Sequence, residues 1–209
     1  MTVDIIIPTY KPDETLCLLL HKLQGQTFVV HRVIILNTEE KLWKQAAAAY
    51  PIEQVLKELP CEYEVFHIAK KDFDHGGTRQ FGAEHSDADV MVFMTQDAVP
   101  VDAYLIENLV QAMEEEEAAT AYGRQLPDDT VGVIEHYTRE FNYPAKSYVK
   151  SQKDLETMGI KTYFCSNVCA MYRKDVYEKM GGFVLHTIFN EDMIMASKVI
   201  QAGYKIAYV

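Results

Sequence analysis

The sequence predicts an α/β fold, a mostly parallel central sheet flanked by helices, on three observations. Short apolar runs rich in β-branched residues alternate with longer segments whose apolar residues recur at helical spacing. One run, residues 90–94, is apolar without interruption, as a central strand covered on both faces requires. The 209 residues contain no internal repeat, low-complexity tract or linker. One domain with two lobes around a single sheet is therefore expected, large enough to bury roughly 70% of its unfolded surface.

The first strand is expected over residues 3–7, closed by Pro8. Asp13 is a candidate N-cap for a helix that puts Leu16, Leu19, Leu20 and Leu23 on one face and ends at Gly25. A second strand, 32–36, stops at the polar triplet Asn37-Thr38-Glu39, and an Ala-rich helix follows over 41–50. The pattern continues with a strand over 63–69, a loop over 70–77 and a helix from Thr78. The fourth strand, 89–94, ends at Thr95-Gln96-Asp97. A helix over 101–117 finishes in four glutamates that suit a solvated end, and a strand over 118–122 succeeds it.

Residues 124–161 mix polar and aromatic side chains without a clear period, and loops of that length inside compact domains are usually functional or mobile. Its Tyr137, Phe141, Tyr143 and Tyr148 offer aromatic faces suited to the C–H faces of sugars. Order returns with a strand over 164–172 and a helix over 174–180 that stops at Gly181-Gly182. The last helix, 191–202, spaces Ile194, Met195, Val199 and Ile200 helically before Gly203, and residues 204–209 read as a final strand.

Thirty-one acidic against 20 basic residues give a net charge of -11, the wrong sign for holding a polyanion, so nucleic acid is not the expected partner. Cys17, Cys61, Cys165 and Cys169 are too few for a disulfide framework and lack zinc spacing, so all four are expected to be buried thiols in a reducing cytoplasm. The chain opens directly into a strand pattern with no signal peptide, and its apolar runs fall short of the ~20 residues that cross a bilayer.

Ligands of open α/β sheets bind beyond the carboxyl ends of the strands. The segments there are Pro8-Thr9-Tyr10, Asn37-Thr38-Glu39, residues 70–79 and Thr95-Gln96-Asp97, all polar or ionisable. Neither GxGxxG nor GxxxxGK[ST] is present, which disfavours a Rossmann dehydrogenase and a P-loop NTPase. Phosphates of a bound nucleotide would then need a divalent cation on a carboxylate, and Asp97 is the best placed. Glu191-Asp192 opens the last helix, a position the macrodipole also favours for acids without any function. His75, Gly76, Gly77 and Arg79 combine glycines that permit close approach with a rigid fork of donors.

In order, Asp4-Ile5-Ile6-Ile7-Pro8-Thr9-Tyr10 with Lys11-Pro12, the strand ending at an acid, the Gly181-Gly182-Phe183 turn and the Glu191-Asp192 pair resemble inverting nucleotide-sugar glycosyltransferases of family 2, which have the GT-A fold. The segments Phe73-Asp74-His75-Gly76-Gly77-Thr78-Arg79 and Thr95-Gln96-Asp97-Ala98 resemble the bacterial rhamnosyltransferase branch, whose donor is dTDP-L-rhamnose. The resemblance implies a Rossmann-like nucleotide-binding half over about 1–100 and an acceptor and catalytic half over about 101–209.

It implies that Asp97 binds Mg2+ or Mn2+ bridging the donor diphosphate, and that Asp192, beside Glu191, is the general base. Pro8, Thr9, Tyr10, Asn37, Thr38, Glu39, His75, Gly76, Arg79 and Gln96 would surround the nucleotide-sugar. The acceptor would be a carbohydrate or lipid-linked hydroxyl of a growing surface polysaccharide or glycolipid, met at the inner face of the cell membrane. Thr95 replaces the first acid of the family's DxD-type motif, and Asn37-Thr38 stands where many relatives carry an Asp that reads uracil. Relatives continue with a His-containing segment that helps hold the metal, so a shortened C-terminus is expected at Val209. The competing classes are a sugar nucleotidyltransferase, disfavoured because no glycine follows the first strand, a family-2 transferase using a UDP- or GDP-sugar, and an inactive binding module of the same fold.

Overall fold

The computed structural model describes residues 1–127, 132–187 and 189–209. Its strands are β1 (Val3–Tyr10), β2 (Arg32–Thr38), β3 (Glu62–Ile68), β4 (Val90–Met94), β5 (Ala118–Tyr122), β6 (Tyr148–Lys150), β7 (Cys169–Arg173) and β8 (Lys205–Tyr208). They form one eight-stranded sheet in the order β3-β2-β1-β4-β7-β5-β8-β6. Only β7 and β6 run antiparallel to their neighbours. The remaining pairs are parallel, with Ile6 opposite Ile34 on one side and Phe93 on the other. The carboxyl ends of β1 to β5 and β8 therefore share one edge, which also receives the amino ends of β6 and β7.

Alternate residues of each central strand feed two cores. On one face Ile5, Ile7, Val33, Ile35, Val90 and Val92 meet α1 (Glu14–Gln24), α2 (Glu40–Ala49), α3 (Ile52–Lys57) and α5 (Leu105–Glu115). On the other, Ile6, Ile34, Leu36, Met91 and Phe93 meet α4 (His75–His85), α8 (Lys174–Lys179) and α9 (Glu191–Gln201). Each such residue, fully buried, contributes about 1.5–3 kcal/mol, and central strands flanked by helices on both faces explain their unbroken apolar runs.

Several boundaries differ from the sequence expectation, each for a physical reason. β1 runs through Pro8 to Tyr10, because its pairing with β4 ends at Ile6 and a missing N–H beyond that point breaks no ladder on that side. The segment 70–77 is not one loop: a 3-10 turn occupies Lys70–Asp72 and α4 begins at His75, capped by Asp74, whose carboxylate accepts the Gly77 N–H at 2.8 Å. α5 starts at Leu105, since Asp102 instead folds back on the Tyr104 N–H at 2.8 Å. The strand expected from Phe164 is confined to β7. Asp13 caps α1 and Gly25 ends it, as expected, while α3 and the partial exposure of Cys61 were not anticipated.

The weakly patterned stretch holds α6 (Val133–Asn142), β6, two further 3-10 turns and the short α7 (Leu155–Met158); its residues 128–131 lie outside the described residues. Among the described residues no helix is long and apolar enough to cross a membrane.

Candidate active site

The shared strand edge carries strain. Lys11, Glu39, His186 and Asn190 all have positive φ, at 50°, 71°, 57° and 70°. Non-glycine residues pay roughly 1–2 kcal/mol for this conformation, and it concentrates where function over-determines the backbone.

At the ends of β1 and β2, Thr9 and Asn37 occupy one rung of the sheet. The Thr9 hydroxyl donates to Asn37 Oδ1 at 3.3 Å, and Asn37 Nδ2 meets His67 Nδ1 at 3.0 Å. Asn37 is thus fully buried and bonded at both ends, with Thr38 buried beside it and Pro8 half-buried. Tyr10 projects outward, its ring flanked by the ammonium groups of Lys11 and Lys70 at 5.4 and 5.7 Å. Gln96 clasps its backbone, accepting the Tyr10 N–H at 3.0 Å and donating to its carbonyl at 3.3 Å. Glu39 ties β2 to the following turn by accepting the Lys70 N–H.

Asp97 lies exposed on the turn after β4, and no hydrogen bond or ion pair within the described residues engages its carboxylate. Two residues earlier the Thr95 hydroxyl is buried without a partner. An unengaged carboxylate offers the hard oxygen ligands that Mg2+ or Mn2+ takes, so the residues fit such an ion. The described residues contain one group of three side chains with metal-ligating spacing, Asp4, His31 and Asp87, but it sits at the opposite edge of the sheet. There Arg32 Nη2 already pairs with both Asp4 at 3.2 Å and Asp87 at 2.8 Å.

α4 joins the two sides. A Cβ on Gly76 would fall 1.8 Å from the Val184 carbonyl oxygen, and one on Gly182, at φ 69°, would fall 2.2 Å from Gln80 Oε1. That Gln80 oxygen accepts from the Tyr177 hydroxyl at 2.6 Å and from the Phe183 N–H at 3.2 Å. Glycine is required at both positions so that the first turns of α4 press against the loop leading to α9. His75 is exposed at the start of α4. Arg79 is buried, its Nη1 donating to the His75 carbonyl at 3.2 Å and pairing with Glu191 Oε1 at 3.1 Å. One arm of its guanidinium therefore engages Glu191, while its Nε is buried without a partner among the described residues.

Glu191 and Asp192 begin α9 but differ in environment. Glu191 is buried and accepts from Asn167 Nδ2 at 3.2 Å as well as from Arg79. Asp192 accepts the Asn167 N–H on Oδ2 at 3.1 Å and the Met193 N–H on Oδ1 at 2.7 Å. Burial raises its proton affinity above the ordinary carboxylate value and Glu191 adds to this, against the opposing effect of the two N–H groups and Arg79.

Asp192 faces a cavity of about 340 Å³ shared with Phe164, Cys165, Ser166 and Gln125, and with Thr138, Arg139, Asn142 and Tyr143 from α6 and its end. The opposite face of α6 exposes Val133, Ile134, Tyr137 and Phe141, so its apolar period is helical but turned to solvent. Of the four aromatics expected beside an acceptor, Tyr143 lines the cavity and Tyr148 packs on Tyr208 at 4.9 Å. Beneath the cavity floor Lys150 is fully buried, donating to the Tyr122 hydroxyl at 3.2 Å and to the Phe164 carbonyl. Burial lowers the Lys150 ammonium to about 8 and pushes the Cys165 thiol up to about 12.

Sequence reasoning missed Asn167, Tyr172 and Lys150, which reach the site across the fold; the one local signal is that Asn167 precedes a strand end on the ligand-binding edge. The sheet order, the edge and the acid pair define a nucleotide-sugar transferase fold, and the chain belongs to glycosyl transferase family 2, whose profile matches residues 4–181. It is 42% identical, over all 209 residues, to the O-antigen chain rhamnosyltransferase RfbN of Salmonella typhimurium, of which it spans 64%. Among solved structures, TarS of S. aureus in complex with UDP-GlcNAc superimposes with a TM-score of 0.73 at 16% identity, covering all of this chain and 56% of that one. The mannosyltransferase PcManGT of Pyrobaculum calidifontis, in complex with GDP-Man and Mn2+, gives 0.65 at 15% identity, covering 99% of this chain and 56% of that one. These two likenesses show the GT-A fold.

Proposed function

We propose that this chain transfers L-rhamnose from dTDP-L-rhamnose to an acceptor hydroxyl with inversion, in the synthesis of a surface polysaccharide or glycolipid. The similarity to the Salmonella rhamnosyltransferase supports the sugar and the product class. The observation that carries the mechanism is Asp192: a carboxylate of raised proton affinity, fixed by two N–H groups and opening into a cavity. In this reading residues 1–100 hold the donor and residues 101–209 the acceptor, and a lipid-linked acceptor brings the protein to the inner face of the cell membrane.

Tyr10 supplies an exposed aromatic face for the nucleobase, with Lys11 and Lys70 beside it to meet negative charge. Asp97 would hold Mg2+ or Mn2+, which when bound neutralises the leaving diphosphate. The acceptor hydroxyl enters the cavity beside α6, and Asp192 removes its proton as it attacks the anomeric carbon from the face opposite the diphosphate. General-base action of this kind contributes roughly 10²–10⁴ in rate. Cys165, held neutral by burial, takes no part as a nucleophile.

A panel of dTDP-, UDP- and GDP-sugars scored for thermal stabilisation with Mn2+ tests the donor; dTDP-rhamnose is expected to stabilise most, by about 2.7 kcal/mol at 100 times its Kd. Equal or greater stabilisation by a UDP- or GDP-sugar would replace the donor assignment.

A further inference from the structure

Glu191 and Asp192 are adjacent acids, yet only one of them faces the cavity. Glu191 is 5% exposed, and both Arg79 Nη1 and Asn167 Nδ2 converge on its Oε1. Asn167 is itself 2% exposed and held at its other end: Tyr172 donates its hydroxyl hydrogen to Asn167 Oδ1 at 2.8 Å. That hydroxyl is buried, which holds the phenol firmly in its protonated, donating form. The amide orientation follows: with oxygen toward Tyr172, its N–H must face the Glu191 carboxylate, whereas a flipped amide would point oxygen at oxygen. The same residue donates its backbone N–H to Asp192.

We infer that Tyr172, Asn167 and Arg79 hold Glu191 as a non-reacting neighbour that tunes Asp192, so that Glu191 and Asn167 are positioning residues and Asp192 alone takes the proton. This rests on the reading of Asp192 as the general base. The charged and titratable groups facing Asp192 are Glu191 and Arg79 on one side, Arg139 and Tyr143 across the cavity, and Cys165 and Tyr172 beneath it. Of these, Glu191 and Arg79 form a pair 3.1 Å apart whose charges nearly cancel at a distance but not at the neighbouring residue. An amide at position 167 satisfies both its buried neighbours without adding charge. A carboxylate there would keep the backbone N–H to Asp192 but set an oxygen against Glu191 Oε1, so that the acids at 167, 191 and 192 share the added negative charge.

The test is the pH dependence of kcat for the full chain and for Glu191→Gln and Asn167→Asp, with the sugar nucleotide the wild type turns over. Removing the Glu191 charge is expected to move the acid limb down in pH, and adding one at 167 to move it up. Each shift should be on the order of one pH unit, as for a single charge a few ångströms away, with the donor KM within about twofold. A merely structural role would lower kcat in both variants and leave the limb where it was. Limbs that do not move, or move in the same direction, overturn the inference. Should Glu191→Gln fail to fold because Arg79 loses its counter-ion, Asn167→Asp decides alone. Asp192→Asn in the same assay separates the two layers: retained turnover removes the base assignment itself, whereas lost turnover with unmoved limbs removes only the tuning role.

Discussion

Asp97 and Asp192 stand on the same edge of the sheet in opposite environments. Asp97 is exposed on a turn, with its carboxylate engaged by nothing in the described residues. Asp192 has both oxygens bound to backbone N–H groups and the Glu191 charge beside it. An exposed, unengaged carboxylate leaves lone pairs for a cation. A carboxylate taken out of water, and crowded by another, holds a proton more readily. In the proposed reading, the fold separates the neutralising of a leaving group at Asp97 from the accepting of a proton at Asp192 by their different exposure and neighbours.

The sharpest way to break this contrast is Asp192→Asn. It keeps the volume and the N–H contacts in part while removing the proton acceptor, so kcat should fall by roughly 10²–10⁴ with donor affinity unchanged in calorimetry. Retained turnover would make the two acids equivalent. Asp97→Ala should do the reverse. The donor should bind about tenfold or more weakly in the presence of Mn2+, equivalent to at least ~1.4 kcal/mol, and the two proteins should bind equally in a chelator. Unchanged metal-dependent affinity would take Asp97 out of the donor site.

The bridge between the acids can be attacked without touching either. Gly76→Ala would place a methyl 1.8 Å from the Val184 carbonyl oxygen, forcing the start of α4 away from the loop before α9. Overpacking of this kind costs about 1–3 kcal/mol. A lowered melting temperature together with reduced turnover is expected; an unchanged enzyme would show that α4 does not hold the acid pair in place.

What the sequence reveals of this arrangement divides along the same line. The central strands are legible because both faces are buried, so residues 90–94 and Val33 to Leu36 read as continuous apolar runs. The Leu16, Leu19, Leu20 and Leu23 stripe is legible because it packs on one sheet face. α6 is illegible for the opposite reason: Val133, Ile134, Tyr137 and Phe141 keep a helical spacing but meet solvent rather than a core. The Gly76-Gly77 pair reads as a loop, although the first glycine serves a close approach inside a helix to a carbonyl more than 100 residues away. Asp97 and the Glu191-Asp192 pair were found because each opens or closes an element. Asn167, Tyr172 and Lys150 were not, because their roles exist only in contacts across the fold.

Lys150 supplies the mildest test, and it concerns only the Asp192 side. Its ammonium is buried under the Phe164 carbonyl, on the segment whose Asn167 N–H grips Asp192, and no carboxylate pairs with it among the described residues. Burial lowers it from 10.5 in the unfolded chain to about 8 in the fold. Below about pH 8 both states are protonated and the fold carries the cost of the buried charge. Above it the folded protein sheds the proton while the unfolded chain still holds one, so stability rises with pH, by at most about 2 kcal/mol between pH 8 and 9.5. Denaturant melts at the two pH values should therefore show that increment for the wild type and lose it in Lys150→Met, whose side chain has similar length and no charge. The same increment in both proteins would assign the rise to another group, and the cavity floor would then be neutral throughout. Donor binding, proposed at the Asp97 turn, should be the same in Lys150→Met as in the wild type at either pH.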